Sequence, residues 1–300
     1  MRASLLLGIL VVLRRGRTCI VASCLLFAPR IGLYAGETIT YQPTGANAAI
    51  EADLAFPDRA APGGRFPAVV LLHSAAGWPL RVTEQYAIAL NRAGFATLQP
   101  RLFYVLPGGA RHAQYVPHAY GALAFLVARP NIDRKRVAVA GFSFGGMISI
   151  QSAVSESTKR HPTGDLRFAA HAAFYPLCWV FSDLASGKIK GALPAEAFKQ
   201  WTGVPIRIYA GALDDYDDRD PKMCERFVQA LPESQRNLFS VRVYDKATHR
   251  WDTNNNESGF NPFACKGRGC TNHNVPNTEV TQRGIADLVA FLSEVLRVTP

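Results

Sequence analysis

The sequence predicts an α/β protein: a doubly wound, mainly parallel sheet of eight strands with helices on both faces. From Thr38 onward short β-like runs alternate with stretches of helical periodicity, the order expected of strands joined by covering helices. Residues 67–73 (Pro-Ala-Val-Val-Leu-Leu-His) are apolar without alternation, as a strand buried on both faces requires. A second such strand, 137–140, runs through a glycine-rich turn directly into a helical segment. A dinucleotide-binding fold shares this alternation, but no Gly-x-Gly-x-x-Gly follows the first strand.

Seven of the strands can be located. Residues 49–56 alternate apolar and polar, like a half-exposed early strand, and Pro57-Asp58 with Pro62-Gly63-Gly64 then turns the chain into strand 67–73. Val82, Tyr86, Ala89, Leu90 and Ala93 repeat at helical spacing and stop at Gly94, a natural C-terminal cap, before strand 95–99. A helix over 120–127 ends at Arg129-Pro130; strand 137–140 and helix 145–154 follow. Residues 168–175, 205–210 and 239–244 complete the strands. Residues 279–296 form a closing amphipathic helix, with Ile285, Leu288, Val289, Leu292, Val295 and Leu296 on one side.

Residues 1–35 read as a leader and 36–300 as one catalytic domain, since no linker divides the rest. The leader holds apolar runs at 3–13 and 18–28, each too short to span a bilayer, separated by Arg14, Arg15 and Arg17. The second run suits the apolar region of a signal peptide, with the arginines before it and Ala35 just ahead of Gly36. Export to the periplasm or medium is therefore expected, with no membrane span in the mature chain; a translation start near residues 11–13 would explain the first run. A lipid anchor on Cys24 is the weaker reading, because Leu25-Leu26-Phe27 continues apolar where a lipidated Cys is usually followed by polar residues. Half of the net charge of +10 comes from five leader arginines, and the later basic residues neither line one helix face nor interleave with aromatics. That distribution excludes a nucleic-acid-binding surface.

The strongest chemical signal is Gly141-Phe142-Ser143-Phe144-Gly145-Gly146, placed between a buried strand and a helix. A serine at such a turn is held in a strained conformation that exposes its hydroxyl, and flanking glycines leave room for the turn. A serine hydroxyl needs a base to take its proton as it attacks. Asp214 lies just past strand 205–210 and His249 just past strand 239–244, both at the carboxyl ends where a doubly wound sheet places its ligands. The roles follow: Ser143 nucleophile, His249 base, Asp214 its partner. His273 is the rival base, Asp215 the reserve acid, and the remaining acids before Pro221 read as a solvated cluster. The developing oxyanion needs donors, each worth ~3–4 kcal/mol. The backbone N–H groups of Phe144 and Ala75 stand at the right turns to supply them, and Trp78 and Tyr104 are candidates for the substrate pocket.

Four cysteines follow the leader: Cys178, Cys224, Cys265 and Cys270. In an exported chain Cys265 and Cys270 are the easiest to bridge, since Gly267 and Gly269 let the chain turn back. Cys178 and Cys224 lie beyond the ends of strands expected to be neighbours, so they should approach closely enough for a second bridge; the alternative is two buried, unpaired cysteines acting as small apolar residues. His273 follows Cys270 at ligand-like spacing, but no fourth ligand is evident and no metal is expected.

These motifs resemble the dienelactone hydrolase family of the α/β-hydrolase superfamily over nearly all of residues 37–296. The likeness rests on Val-Val-Leu-Leu-His-Ser-Ala-Ala-Gly at 69–77, Gly-Phe-Ser-Phe-Gly-Gly at 141–146, Phe-Tyr-Pro-Leu-Cys at 174–178, Gly-Ala-Leu-Asp-Asp at 211–215 and Ala-Thr-His-Arg-Trp-Asp at 247–252. The resemblance implies an α/β-hydrolase fold and hydrolysis of small esters or lactones without metal or organic cofactor. The family's namesake enzymes carry Cys where this chain has Ser143, so the likeness is to its exported, serine-bearing branch. A peptidase or thioesterase on the same fold passes through the same acyl-serine intermediate. A non-catalytic binding protein is disfavoured by the intact Ser143, Asp214 and His249 set. Residues 254–277 are longer than a compact family member needs and either cover the site or form surface.

Overall fold

The computed structural model describes residues 36–45, 48–59, 61–78, 81–103, 111–161 and 166–298. The leader reading, with Cys24, and the pocket candidate Tyr104 lie outside the described residues. In chain order the elements are β1 (Glu37–Tyr41), β2 (Ile50–Ala55), β3 (Phe66–Leu72), α1 (Val82–Ala93), β4 (Ala96–Pro100), α2 (Val116–Val127), β5 (Ile132–Phe142) and α3 (Phe144–Ser152). There follow α4 (Ser155–Arg160), β6 (His171–Phe174), α5 (Cys178–Ala185), β7 (Ile206–Gly211), α6 (Met223–Gln229), α7 (Glu233–Arg236) and β8 (Phe239–Tyr244). The chain closes with β9 (Glu257–Asn261), the one-turn α8 (Ala264–Gly267), β10 (Cys270–Asn274) and α9 (Thr278–Val295).

Eight strands form one sheet in the order β1-β2-β4-β3-β5-β6-β7-β8; β1 and β2 run antiparallel to their neighbours and the other contacts are parallel. This is the α/β-hydrolase fold. β3 shows why both faces need helices. Val70 and Leu72 pack with α2 residues such as Leu123 and Leu126, whereas Val69 and Leu71 pack with Tyr86 and Leu90 of α1 and Leu288 and Leu292 of α9. Alternate side chains of one strand thus enter two separate cores, which removes the polar positions that a half-exposed strand would show. A third core, over the β7 end, joins Ile206, Ile208 and Phe239 to α5 and α6 through Phe181 and Phe227.

Two strands differ from the sequence expectation. β2 is not half-exposed: it lies between β1 and β4, only Glu51 is open to solvent, and buried Asp53 accepts a 2.8 Å hydrogen bond from Arg101. β6 has four residues rather than eight: it begins only at His171, and it ends at Phe174, where Tyr175 adopts φ 38° and turns the chain away from the sheet. β1 is the strand that the pattern did not locate. Among the described residues no helix is long and apolar enough to cross a membrane.

The sheet order sets the site's position. β4 lies on one side of β3 and β5 on the other, so the connections leaving β3 and β5 diverge and open a crevice at their carboxyl ends. Ser74–Ala76 follow β3 and Ser143 follows β5, which brings both turns to that crevice.

Candidate active site

Ser143 sits between β5 and α3 with φ 50° and ψ −111°, a backbone conformation that costs a non-glycine residue about 1–3 kcal/mol. Its surroundings enforce it: the Ser143 N–H donates to Phe174 O at 2.8 Å, and its carbonyl accepts from Met147 N at 2.9 Å. The turn is so tight that a Cβ on Gly145 would lie 2.0 Å from Leu72 O, which explains the glycine there.

Ser143 Oγ lies 2.8 Å from His249 Nε2, and His249 Nδ1 lies 2.8 Å from Asp214 Oδ2. A carboxylate only accepts, so Nδ1 carries the proton and the Nε2 lone pair faces the serine hydroxyl. Asp214 is fixed in turn by the Tyr216 N–H, which donates to its other oxygen at 2.9 Å. All three side chains are buried. The imidazole is packed between the rings of Tyr216 and Tyr175, whose centroids lie 4.3 and 5.0 Å from its own.

Behind His249 lies a support that the sequence reading missed. Asp252 accepts hydrogen bonds from the hydroxyls of Tyr175 (2.7 Å) and Tyr86 (2.8 Å), tying the His249 loop to β6 and α1. Burial raises the Asp252 carboxyl above its usual range, and burial together with the Asp252 charge pushes both tyrosines well up, so the hydroxyls remain donors. The signal was present in the motifs at 174–178 and 247–252, but neither motif says that its Tyr and Asp meet.

The acids after Asp214 require a correction: Asp217, read as part of a solvated cluster, is buried, and so is Asp215, the reserve acid. Asp215 accepts from Arg219 Nε (2.6 Å), from the His273 backbone N–H (2.8 Å) and faces His273 Nδ1 at 3.0 Å, and these partners hold its carboxyl below the usual range. It therefore docks the 254–277 segment rather than His249. Asp217 accepts the N–H groups of Cys178 and Trp179 at the start of α5; burial, then the Asp214 charge, raises its carboxyl well above the usual range. Cys178 is joined to Cys224 and Cys265 to Cys270, with Cα separations of 5.0 and 5.9 Å. Among the described residues the cluster with metal-ligating side chains is Cys178, Asp217 and Cys224, and its sulfurs are taken up by the disulfide.

A cavity of about 380 Å³ opens beside Ser143 and His249, lined on one side by Ser74, Ala75 and Ala76. The Ala76 N–H is engaged by Ser74 Oγ at 3.3 Å, whereas among the described residues none takes the Ala75 N–H. The Phe144 N–H is at the first turn of α3, where a helix leaves its donors free. Trp78 is not among the lining residues; it is buried with the guanidinium groups of Arg81 and Arg101 over its ring at 5.1 and 5.6 Å. The second wall comes from residues 254–277, which fold as the β9–β10 hairpin instead of an open loop and contribute Glu257, Phe260, Asn272 and Asn274.

The family model described as "Dienelactone hydrolase family" matches residues 107–267, more than half of the chain, including Ser143, Asp214 and His249. No curated protein matches the chain. Among solved structures, Thermogutta terrifontis esterase 2 phosphorylated by paraoxon superposes with a TM-score of 0.63 at 16% identity, covering 88% of this chain and 96% of that one. The same organism's esterase with butyrate bound gives 0.62 at 14% identity, over 88% and 96%. A dienelactone hydrolase-like promiscuous phosphotriesterase from metagenomic libraries gives 0.59 at 18% identity, over 87% and 98%. At these identities the superpositions establish the fold.

Proposed function

Because the chain belongs to the dienelactone hydrolase family, we propose that it is a serine hydrolase that cleaves small carboxylic esters or lactones through an acyl-serine intermediate. The observation that carries this reading is the pair of 2.8 Å contacts running from Ser143 Oγ through the His249 ring to Asp214. Ser143 Oγ attacks the carbonyl carbon as His249 Nε2 takes its proton, and the negative charge that grows on the carbonyl oxygen is met by the Phe144 and Ala75 N–H groups. Collapse expels the alcohol, which leaves with the proton from Nε2; in a lactone it stays attached as a hydroxyl on the acyl chain. Water, deprotonated by the same nitrogen, then attacks the acyl-serine and releases the acid. Asp214 holds the tautomer and balances the imidazolium. No step calls on a metal or cofactor.

The test is labelling with a fluorophosphonate followed by peptide mass mapping. The adduct is expected on Ser143, and Ser143→Ala should neither label nor turn over p-nitrophenyl butyrate; labelling elsewhere, or an active variant, rejects the reading. Running simple esters beside a lactone, a thioester and a peptide anilide assigns the leaving group. Export is part of the proposal, supported by the two disulfides, which persist in oxidising compartments. Cell fractionation and N-terminal sequencing near Gly36 check it.

A further inference from the structure

The hairpin wall of the cavity carries a polar chain whose direction can be read from one end. Arg250 Nη1 donates to Glu257 Oε2 at 2.5 Å, and Asn274 Nδ2 donates to the same oxygen at 3.2 Å. The Glu257 carboxylate, paired with Arg250, accepts only, so Asn274 must turn its NH₂ toward it and its carbonyl oxygen away. That oxygen receives Asn272 Nδ2 at 2.9 Å. The orientation of Asn272 is thereby fixed as well, and its Oδ1 is left buried with no donor among the described residues. Asn272 is 6% exposed and lines the cavity that holds Ser143 and His249.

A buried amide oxygen without a donor is destabilising, and a ligand that brings a donor relieves that cost. We propose that Asn272 Oδ1 is a specificity determinant that reads a hydroxyl or amide N–H on the substrate, so that the esters this enzyme prefers are hydroxylated or amide-bearing ones rather than plain alkyl esters. The recognised group is uncharged. Arg250 and Glu257 neutralise each other, and a substrate carboxylate would meet the Asn272 oxygen and the Glu257 carboxylate, both acceptors. The inference rests on Ser143 being the nucleophile of an esterase.

The experiment measures kcat/KM for matched esters: methyl butyrate against methyl 3-hydroxybutyrate, which places the donor on the acyl side, and propyl butyrate against 2,3-dihydroxypropyl butyrate, which places it on the alcohol side. Wild-type enzyme should favour the hydroxylated member of at least one pair by ~10-fold or more, since a site built to bond a hydroxyl discriminates strongly against its absence. In Asn272→Leu that ratio should fall to near one, whatever the absolute rates. Glu257→Gln offers a second route if the leucine variant does not fold. A glutamine amide can donate to Asn274, the chain loses its fixed direction, and the ratio should drop at least threefold. If the plain esters are turned over in a Ser143-dependent way but neither pair shows a preference, the inference is wrong and the esterase reading stands. A preference that survives both substitutions also overturns it. Should no ester be hydrolysed, or should Ser143→Ala hydrolyse them, the esterase reading itself fails and takes the inference with it.

Discussion

Two neighbouring aspartates, both buried, have different work, and substitution separates them. Asp214 touches His249 Nδ1 at 2.8 Å, whereas Asp215 touches His273 and Arg219. Asp214→Asn would let the imidazole adopt the wrong tautomer and should lower kcat ~10⁴-fold, while His249→Ala should lower it ~10⁶-fold. Asp215→Asn keeps an acceptor for the His273 N–H and should change kcat by less than about tenfold, with its main effect on KM through the hairpin. Steady-state kinetics on one ester decides, and a larger kcat loss in Asp215→Asn would reverse the assignment. Gly145 is the other residue whose identity is forced: a methyl group there meets Leu72 O, so Gly145→Ala should lose about 3 kcal/mol or more in urea unfolding. The sequence made the serine turn and its glycines legible because the strain is local. It could not disclose that Asp252 anchors Tyr175 behind His249, since that contact joins residues 77 positions apart.

The β9–β10 hairpin is the element that sequence periodicity left open, and its composition explains why. β9 reads Glu-Ser-Gly-Phe-Asn and β10 Cys-Thr-Asn-His-Asn, with little of the β-branched or alternating character by which strands are recognised. What holds it is a disulfide and a docking edge: Cys265 N donates to Asp215 O and Lys266 N to Tyr216 O, against the loop that carries Asp214. The cysteine spacing was legible, the docking was not. The two bridges should therefore act differently when removed. Cys178 and Cys224, 46 residues apart, join α5 to α6 across a long loop, and on the chain-entropy model their bridge stabilises by ~4 kcal/mol. Cys265 and Cys270, five apart, close a short one, for ~2 kcal/mol. Thermal melts of the two double-alanine variants should show the larger Tm loss for Cys178/Cys224. Ester kinetics should show the larger rise in KM for Cys265/Cys270, because that bridge shapes the cavity wall. The reverse pattern would mean that the hairpin does not form the substrate wall.

At the scale of the whole molecule, the alternation of strands and helices made the doubly wound sheet legible, while which polar residues it would bury was not. Besides His249, three histidines are buried within that sheet and its helices: His73 after β3, His118 in α2 and His171 in β6. Burial lowers them to about 4, about 4 and about 3, against an ordinary value near 6.5. Between those limits the unfolded chain holds protons that the folded one refuses, so their contribution to stability is intact above pH ~6.5 and is lost as pH falls through ~4. Asp217 works in the opposite sense: its raised carboxyl keeps a proton in the folded state that the unfolded chain releases, which offsets part of the uptake near pH 5. The net slope therefore does not isolate the histidines, but a difference between two proteins does. His118 is the cleanest choice, because neither ring nitrogen has a partner among the described residues and its ring packs 5.1 Å from that of Tyr115. His118→Phe keeps an aromatic ring there and removes one group that must charge. Calorimetric unfolding near pH 5 in buffers of different ionisation enthalpy should show about one proton fewer taken up by His118→Phe than by wild type, with a shallower fall of Tm between pH 7 and 5. Equal proton uptake by the two proteins would mean that His118 is already charged, or already solvated, in the native state.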